Sequence, residues 1–169
     1  PDLADRVVTI NGVSKAYAMT GWRIGYSAGP KPVIDAMIMM QSQSTTNPCS
    51  ISQAAAVAAL TGPQEAVARM TRAYRERHDY FVPALNEIDG VECRMGEGTF
   101  YAFPRVTGVI DRLGLEDDTA LTGYLLNEAD VAVVPGSAFG APGYIRLSFA
   151  CSRETLEEAI ARINRALTA

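Results

Sequence analysis

The residues best suited to covalent chemistry lie in segment 11–26, NGVSKAYAMTGWRIGY. Lys15 follows a run with strand character, Val7-Val8-Thr9-Ile10, and precedes a second such run, Trp22-Arg23-Ile24-Gly25-Tyr26. The loop between them carries Gly12, Ser14, Thr20 and Gly21. A lysine on a loop among apolar strands is expected to lose hydration, which disfavours its ammonium form and makes its amine a nucleophile toward carbonyls. Arg23, expected on the second strand, can grip a phosphate with two parallel hydrogen bonds, which a second lysine could not do. An amine for an aldehyde and a guanidinium for a phosphate together describe a site for pyridoxal phosphate. Alone, each residue reads as a loop lysine or a solvated strand arginine; their joint spacing, with Gly21-Trp22 before the arginine, favours the chemical reading.

The run 14–26 resembles the cofactor-lysine signature of class I and II aminotransferases, the fold-type I pyridoxal phosphate enzymes, and within them the bacterial aspartate aminotransferases most. The resemblance implies that Lys15 bonds the cofactor aldehyde and shuttles the substrate's α-proton. It implies also that Arg23 binds the cofactor phosphate, with Ser14 as a further candidate for it. A second anchor is Tyr144-Ile145-Arg146-Leu147-Ser148-Phe149, whose period-two alternation puts Ile145, Leu147 and Phe149 on one face and Tyr144, Arg146 and Ser148 on the other. This strand follows the loop Pro135-Gly136-Ser137-Ala138-Phe139-Gly140, and the whole resembles the family segment whose arginine pairs with the substrate α-carboxylate. Arg146 is thereby implied to bind substrate, since a bidentate contact would orient the Cα–H bond across the cofactor plane. By the same resemblance Phe100, in Gly98-Thr99-Phe100-Tyr101, looks into the substrate pocket, and Asn47 lies at a dimer interface near the partner's active site. A core position for Phe100 and a plain loop for Asn47 remain open alternatives.

Composition narrows the field. The chain has 169 residues, 48% of them apolar, a net charge of −4 and no basic cluster, so a nucleic-acid footprint is absent. The apolar runs at 33–40 and 54–60 are too short to cross a bilayer. Cys49, Cys93 and Cys151 are far apart, odd in number and without CxxC spacing, which reads as free thiols in a reducing compartment and fits a cytoplasmic protein. His78 is the single histidine, leaving little material for zinc sites or Ser-His-Asp triads. In Arg75-Glu76-Arg77-His78-Asp79 it reads as part of a solvated helix face.

The elements that must position these residues follow from periodicity and punctuation. A helix is expected over 31–43, its methionines in the core, and another over 51–60, capped by Ser50 or Ser52. Residues 64–88 form a long amphipathic helix with Val67, Tyr74, Phe81 and Ile88 on one stripe and a bend at Pro83. Strands are expected at 91–94, 100–103 and 131–134, a loop at 105–108, and helices over 119–129 and from a Ser152 cap to Leu167.

The expected fold class is α/β. Residues 1–63 would be the C-terminal part of a large cofactor-binding domain, an αβα sandwich remnant. Residues 64–88 would be a connecting helix, and 89–169 a small α+β domain. The buried-type strand at the start needs neighbours on both sides that the chain does not supply, so a fragment is expected. The acid that pairs with the cofactor's pyridine nitrogen in the family would lie upstream of Pro1, and these residues alone are expected not to transaminate. The resemblance implies transfer of an amino group between an L-amino acid, of the aspartate or glutamate type, and a 2-oxo acid, by a homodimer in the full-length protein. A pyridoxal phosphate-dependent lyase on the same fold and the effector domain of an aminotransferase-like transcription regulator stay open.

Overall fold

The computed structural model describes residues 3–168. Pro1 and Asp2, with which the expected large domain begins, lie outside the described residues, as does Ala169. The chain divides into two compact units, residues 1–69 and 70–169.

In the first unit, β1 (Thr9–Gly12) and β2 (Gly25–Ala28) pair antiparallel, Thr9 opposite Ala28 and Gly12 opposite Gly25. Both strands start later than expected. The first is not of the buried type: Val7, Val8 and Ile10 are 45%, 37% and 78% exposed. Residues 20–22 form a 3-10 turn instead of the head of the second strand, closed by the Trp22 N–H on the Met19 carbonyl at 3.3 Å. The helices α1 (Lys31–Ser44) and α2 (Ser50–Thr61) follow. Pro32 sits in the first turn of α1, where its missing N–H costs nothing. Beyond its end, Thr46 turns left-handed and both Thr45 and Thr46 donate to the Gln41 carbonyl. The cap of α2 is Cys49, not Ser50 or Ser52. The apolar stripe of α1 does not enter a core: Met37, Ile38, Met39 and Met40 are 41–70% exposed. The core of this unit is small, built on Val13, Met19 and Ala56 with Tyr17 and Ile24 against them.

The helix α3 (Glu65–Asn86) begins in the first unit and runs into the second, with Pro83 inside it. Then come β3 (Tyr101–Ala102), α4 (Thr107–Leu113), α5 (Asp118–Ala129), β4 (Val134–Pro135), β5 (Ile145–Ser148) and α6 (Arg153–Thr168). The sheet runs β3-β5-β4, antiparallel throughout, with β5 central. Residues 91–94 contribute only a bridge from Glu92 to Arg105, not a strand. The expected loop at 105–108 is that bridge followed by the first turn of α4. Gly108 reads as a turn signal, but it is small because Gly90 passes within 3.0 Å of where its Cβ would be. The expected strand over 131–134 shrinks to β4, and the loop after it is a 3-10 turn over Gly136–Phe139.

One core holds this unit together. Phe81, Val82 and Leu85 of α3, Val109 of α4, Leu121 and Leu125 of α5, Ile145 and Leu147 of β5, and Leu156 and Ile163 of α6 meet around Phe149. Full burial of each such side chain contributes about 1.5–3 kcal/mol. His78 belongs to it and not to a solvated face: it is buried, its ring 5.8 Å from that of Phe149. Its Nε2 accepts the Gly96 N–H at 3.2 Å, so the ring proton sits on Nδ1, facing Asp79 at 3.0 Å.

Candidate active site

In the first unit, Ser14, Lys15 and Arg23 lie on one tight segment between β1 and β2. Backbone bonds from Tyr17 to Val13, Ala18 to Lys15, Met19 to Ser14 and Trp22 to Met19 fold it, and buried Val13 and Met19 pin it to α2 through Ala56. Arg23 is not a strand residue. It ends the 3-10 turn in the left-handed region at φ 51°, and Ala18 shares that region at φ 53°. Such a backbone costs a non-glycine residue about 1 kcal/mol or more and persists where the surroundings dictate it. Arg23 Nη1 donates to the Thr20 carbonyl at 2.9 Å. That single bond leaves most of its five N–H donors for a ligand, and no described residue forms an ion pair with it. Lys15 is exposed, contrary to the expected loss of hydration. An amine, a hydroxyl and a guanidinium on one connection between β1 and β2 are the donor set that a phosphorylated aldehyde requires, so these residues fit pyridoxal phosphate. Asn47, also in this unit, is exposed and donates to the Pro48 carbonyl at 2.8 Å.

The second unit carries Arg146 on β5. Ile145, Leu147 and Phe149 face the core as expected, which turns Arg146 to the other face. There its guanidinium carbon lies 4.4 Å from the ring centre of Tyr101 and 4.4 Å from that of Phe139. Arg105, Arg112, Arg153 and Arg162 each pair with a carboxylate. Arg146, though half-buried, has no anionic partner among the described residues. Phe100 packs against the core, 6.1 Å from Tyr74, and the next residue, Tyr101, supplies one of the rings beside Arg146.

Three contributors escaped the sequence reading: Tyr101, Phe139 and Asp118. Parity along the β3–β5 pairing would have revealed Tyr101, since it pairs with Ser148 and so shares the face of Arg146. Asp118 follows the true cap of α5, Asp117, which accepts from Ala120 N at 2.7 Å. It points inward, fully buried, and accepts from Ser137 N and Ser137 Oγ at 2.7 Å each and from Gly143 N at 3.3 Å. Burial pushes its carboxyl up, but the donors from Ser137 and Gly143, with its own backbone N–H, outweigh that and hold it below the usual aspartate range. Asp118 thereby ties down both ends of the loop that carries Phe139. Gly136 opens that loop where only glycine fits, because a Cβ there would run into the backbone of Ala141 and Tyr144.

The profile of the family described as aminotransferase class I and II matches residues 1–163. The chain belongs to that family. Its relatives include the aspartate/prephenate aminotransferase of Nitrosomonas europaea, 54% identical over 96% of this chain and 43% of the relative. In solved structures, the aspartate aminotransferase of Rhizobium meliloti superposes with a TM-score of 0.92 at 49% identity, over 99% of this chain and 43% of that one. The aromatic aminotransferase of Pyrococcus horikoshii gives 0.89 at 41% identity, over 97% and 43%. The chain therefore spans a little over two fifths of the length of these aminotransferases. Its mixed helices and sheets are part of an α/β pyridoxal phosphate transferase fold. Among the described residues, no helix is long and apolar enough to cross a membrane, and no group of three or more His, Cys, Asp or Glu could hold a metal ion.

Proposed function

We propose that the whole protein is a pyridoxal phosphate-dependent aminotransferase. It would move an amino group between an L-amino acid of the aspartate or glutamate type and a 2-oxo acid. The observation that carries this reading is the connection between β1 and β2 that bears Ser14, Lys15 and Arg23, in a chain that belongs to the aminotransferase family. Pyridoxal phosphate, when bound, supplies the electron sink that lets an amino acid lose its Cα proton. Arg23 and Ser14 would hold the phosphate, and the Lys15 amine would sit at the cofactor's aldehyde and take and return the proton at the substrate Cα. Arg146 seats the substrate carboxylate, and the absence of an anionic partner for it among the described residues supports that role. Asn47 is assigned to a site shared with a second copy. The exposed Met39, Met40 and Ile51 support burial of this surface in a homodimer, and three free cysteines support a cytoplasmic setting.

Borohydride reduction of the full-length protein with bound cofactor, followed by peptide mapping, tests the assignment. The cofactor label is expected on Lys15, with Lys15→Ala losing both label and transfer. A label on another lysine would refute it. A donor panel of aspartate, glutamate and aromatic amino acids fixes the substrate class, since relatives with both kinds of name match.

A further inference from the structure

We propose that Tyr101 and Phe139 are positioning residues for Arg146. They hold its guanidinium in one orientation and leave its N–H edge to a planar carboxylate. The inference rests on the reading of Arg146 as the substrate's carboxylate seat and goes beyond it by naming what aims the arginine.

A half-buried cation needs compensation, and the usual compensator in this protein is a carboxylate. That solution consumes N–H donors and neutralises the charge. An aromatic ring attracts the cation through its quadrupole while leaving every N–H donor available. Arg146 has two such rings and no carboxylate among the described residues, so its charge and its donors are both kept for an incoming ligand. The rings come from separate elements, β3 and the 3-10 turn after β4, and each is fixed independently. Tyr101 is pinned by pairing with Ser148. Phe139 meets Phe103 edge-on at 6.2 Å, Phe103 stacks on Tyr144 at 5.3 Å, and Asp118 secures the turn through Ser137. An arginine aimed before binding loses less side-chain freedom when the ligand arrives. Phe139 is itself 49% exposed, an arrangement that core packing alone does not favour.

The test uses the full-length protein with bound cofactor and the non-reacting dicarboxylate succinate, titrated by calorimetry. Phe139→Leu and Tyr101→Leu keep an apolar side chain but remove the ring, Tyr101→Phe restores it, and Arg146→Lys is the reference. Loss of either ring is expected to weaken succinate about tenfold, equivalent to about 1.4 kcal/mol. It should raise KM for the amino acid by a similar factor while kcat moves much less, because the chemical step lies elsewhere. Tyr101→Phe should bind like the wild type. If both leucine variants bind succinate as the wild type does while Arg146→Lys is weakened, the positioning role is wrong and the carboxylate seat stands. If Arg146→Lys also binds normally, the carboxylate seat falls and this inference with it. Should a leucine variant fail to fold, the NMR signals of the Arg146 side chain in the wild type decide the question. Ring-current displacement supports the clamp, and ordinary shifts overturn it.

Discussion

Replacing Asp118 by alanine removes a carboxylate that no solvent reaches and strands the groups it serves. Two of its hydrogen bonds are 2.7 Å long and run to a charged acceptor; the third, from Gly143, is a weaker 3.3 Å. Hydrogen bonds to charged groups contribute about 1.5–3 kcal/mol each. The two short ones therefore set the expected loss at about 3–6 kcal/mol, a large part of the 5–15 kcal/mol typical of a whole domain. Asp118→Asn keeps one acceptor oxygen but turns an N–H donor toward Ser137, and should lose about half as much. Urea denaturation followed by near-ultraviolet circular dichroism reads both values. The same experiment across pH tests the cause. The folded carboxyl lies below its ordinary value of 3.8, so its stabilisation is complete above that value and is lost as pH falls through the folded pKa. The gap between wild type and Asp118→Ala should hold steady from about pH 7 to 5 and close in stronger acid. A loss under about 1 kcal/mol at pH 7, or a gap that widens in acid, would refute the reasoning.

Two further outcomes follow from local geometry. Gly136→Ala puts a methyl 2.7 Å from the Tyr144 carbonyl oxygen and closer still to that of Ala141, both backbone atoms that cannot step aside. It should cost about 1–3 kcal/mol on thermal melting and weaken succinate along with it; an unchanged melt and unchanged binding would show that the loop yields freely. Among the thiols, Cys49 is exposed, and the Ser52 and Ile51 N–H groups at the start of α2 lower its pKa. Burial raises that of Cys93. Iodoacetamide at neutral pH should therefore label Cys49 first and Cys93 last by mass spectrometry, and the reverse order would contradict the placement of both.

The long periodic helices and the core face of β5 were legible because burial writes a period into the chain. Leu121 and Leu125, Leus156 and 167, and the triplet Ile145, Leu147 and Phe149 all sit where spacing put them. The same rule misled for α1, whose Met37 and Ile38 are as apolar as core residues yet stay exposed. Periodicity reports which face is apolar, not what covers it. His78 failed in the opposite sense: a charged neighbourhood disguised a buried ring whose partner, Gly96, is eighteen residues away. Helix α4 was hidden because Thr107-Gly108 reads as a turn, and only the approach of Gly90 explains the glycine.

At the candidate site, the sequence by itself determined which groups are present and in what order: the amine of Lys15, the guanidinium of Arg23, and Arg146 on the polar face of an alternating strand. Side-chain type and parity along a strand are local properties, and local properties are written in consecutive residues. Only the tertiary structure decided that Arg23 ends a 3-10 turn in the left-handed region and not a strand, that Tyr101 and Phe139 close on Arg146, and that Asp118 holds the loop making this possible. The contacts of Asp118 with Ser137 and of Tyr101 with Arg146 join residues 19 and 45 positions apart, and no spacing rule reaches across a fold to find them.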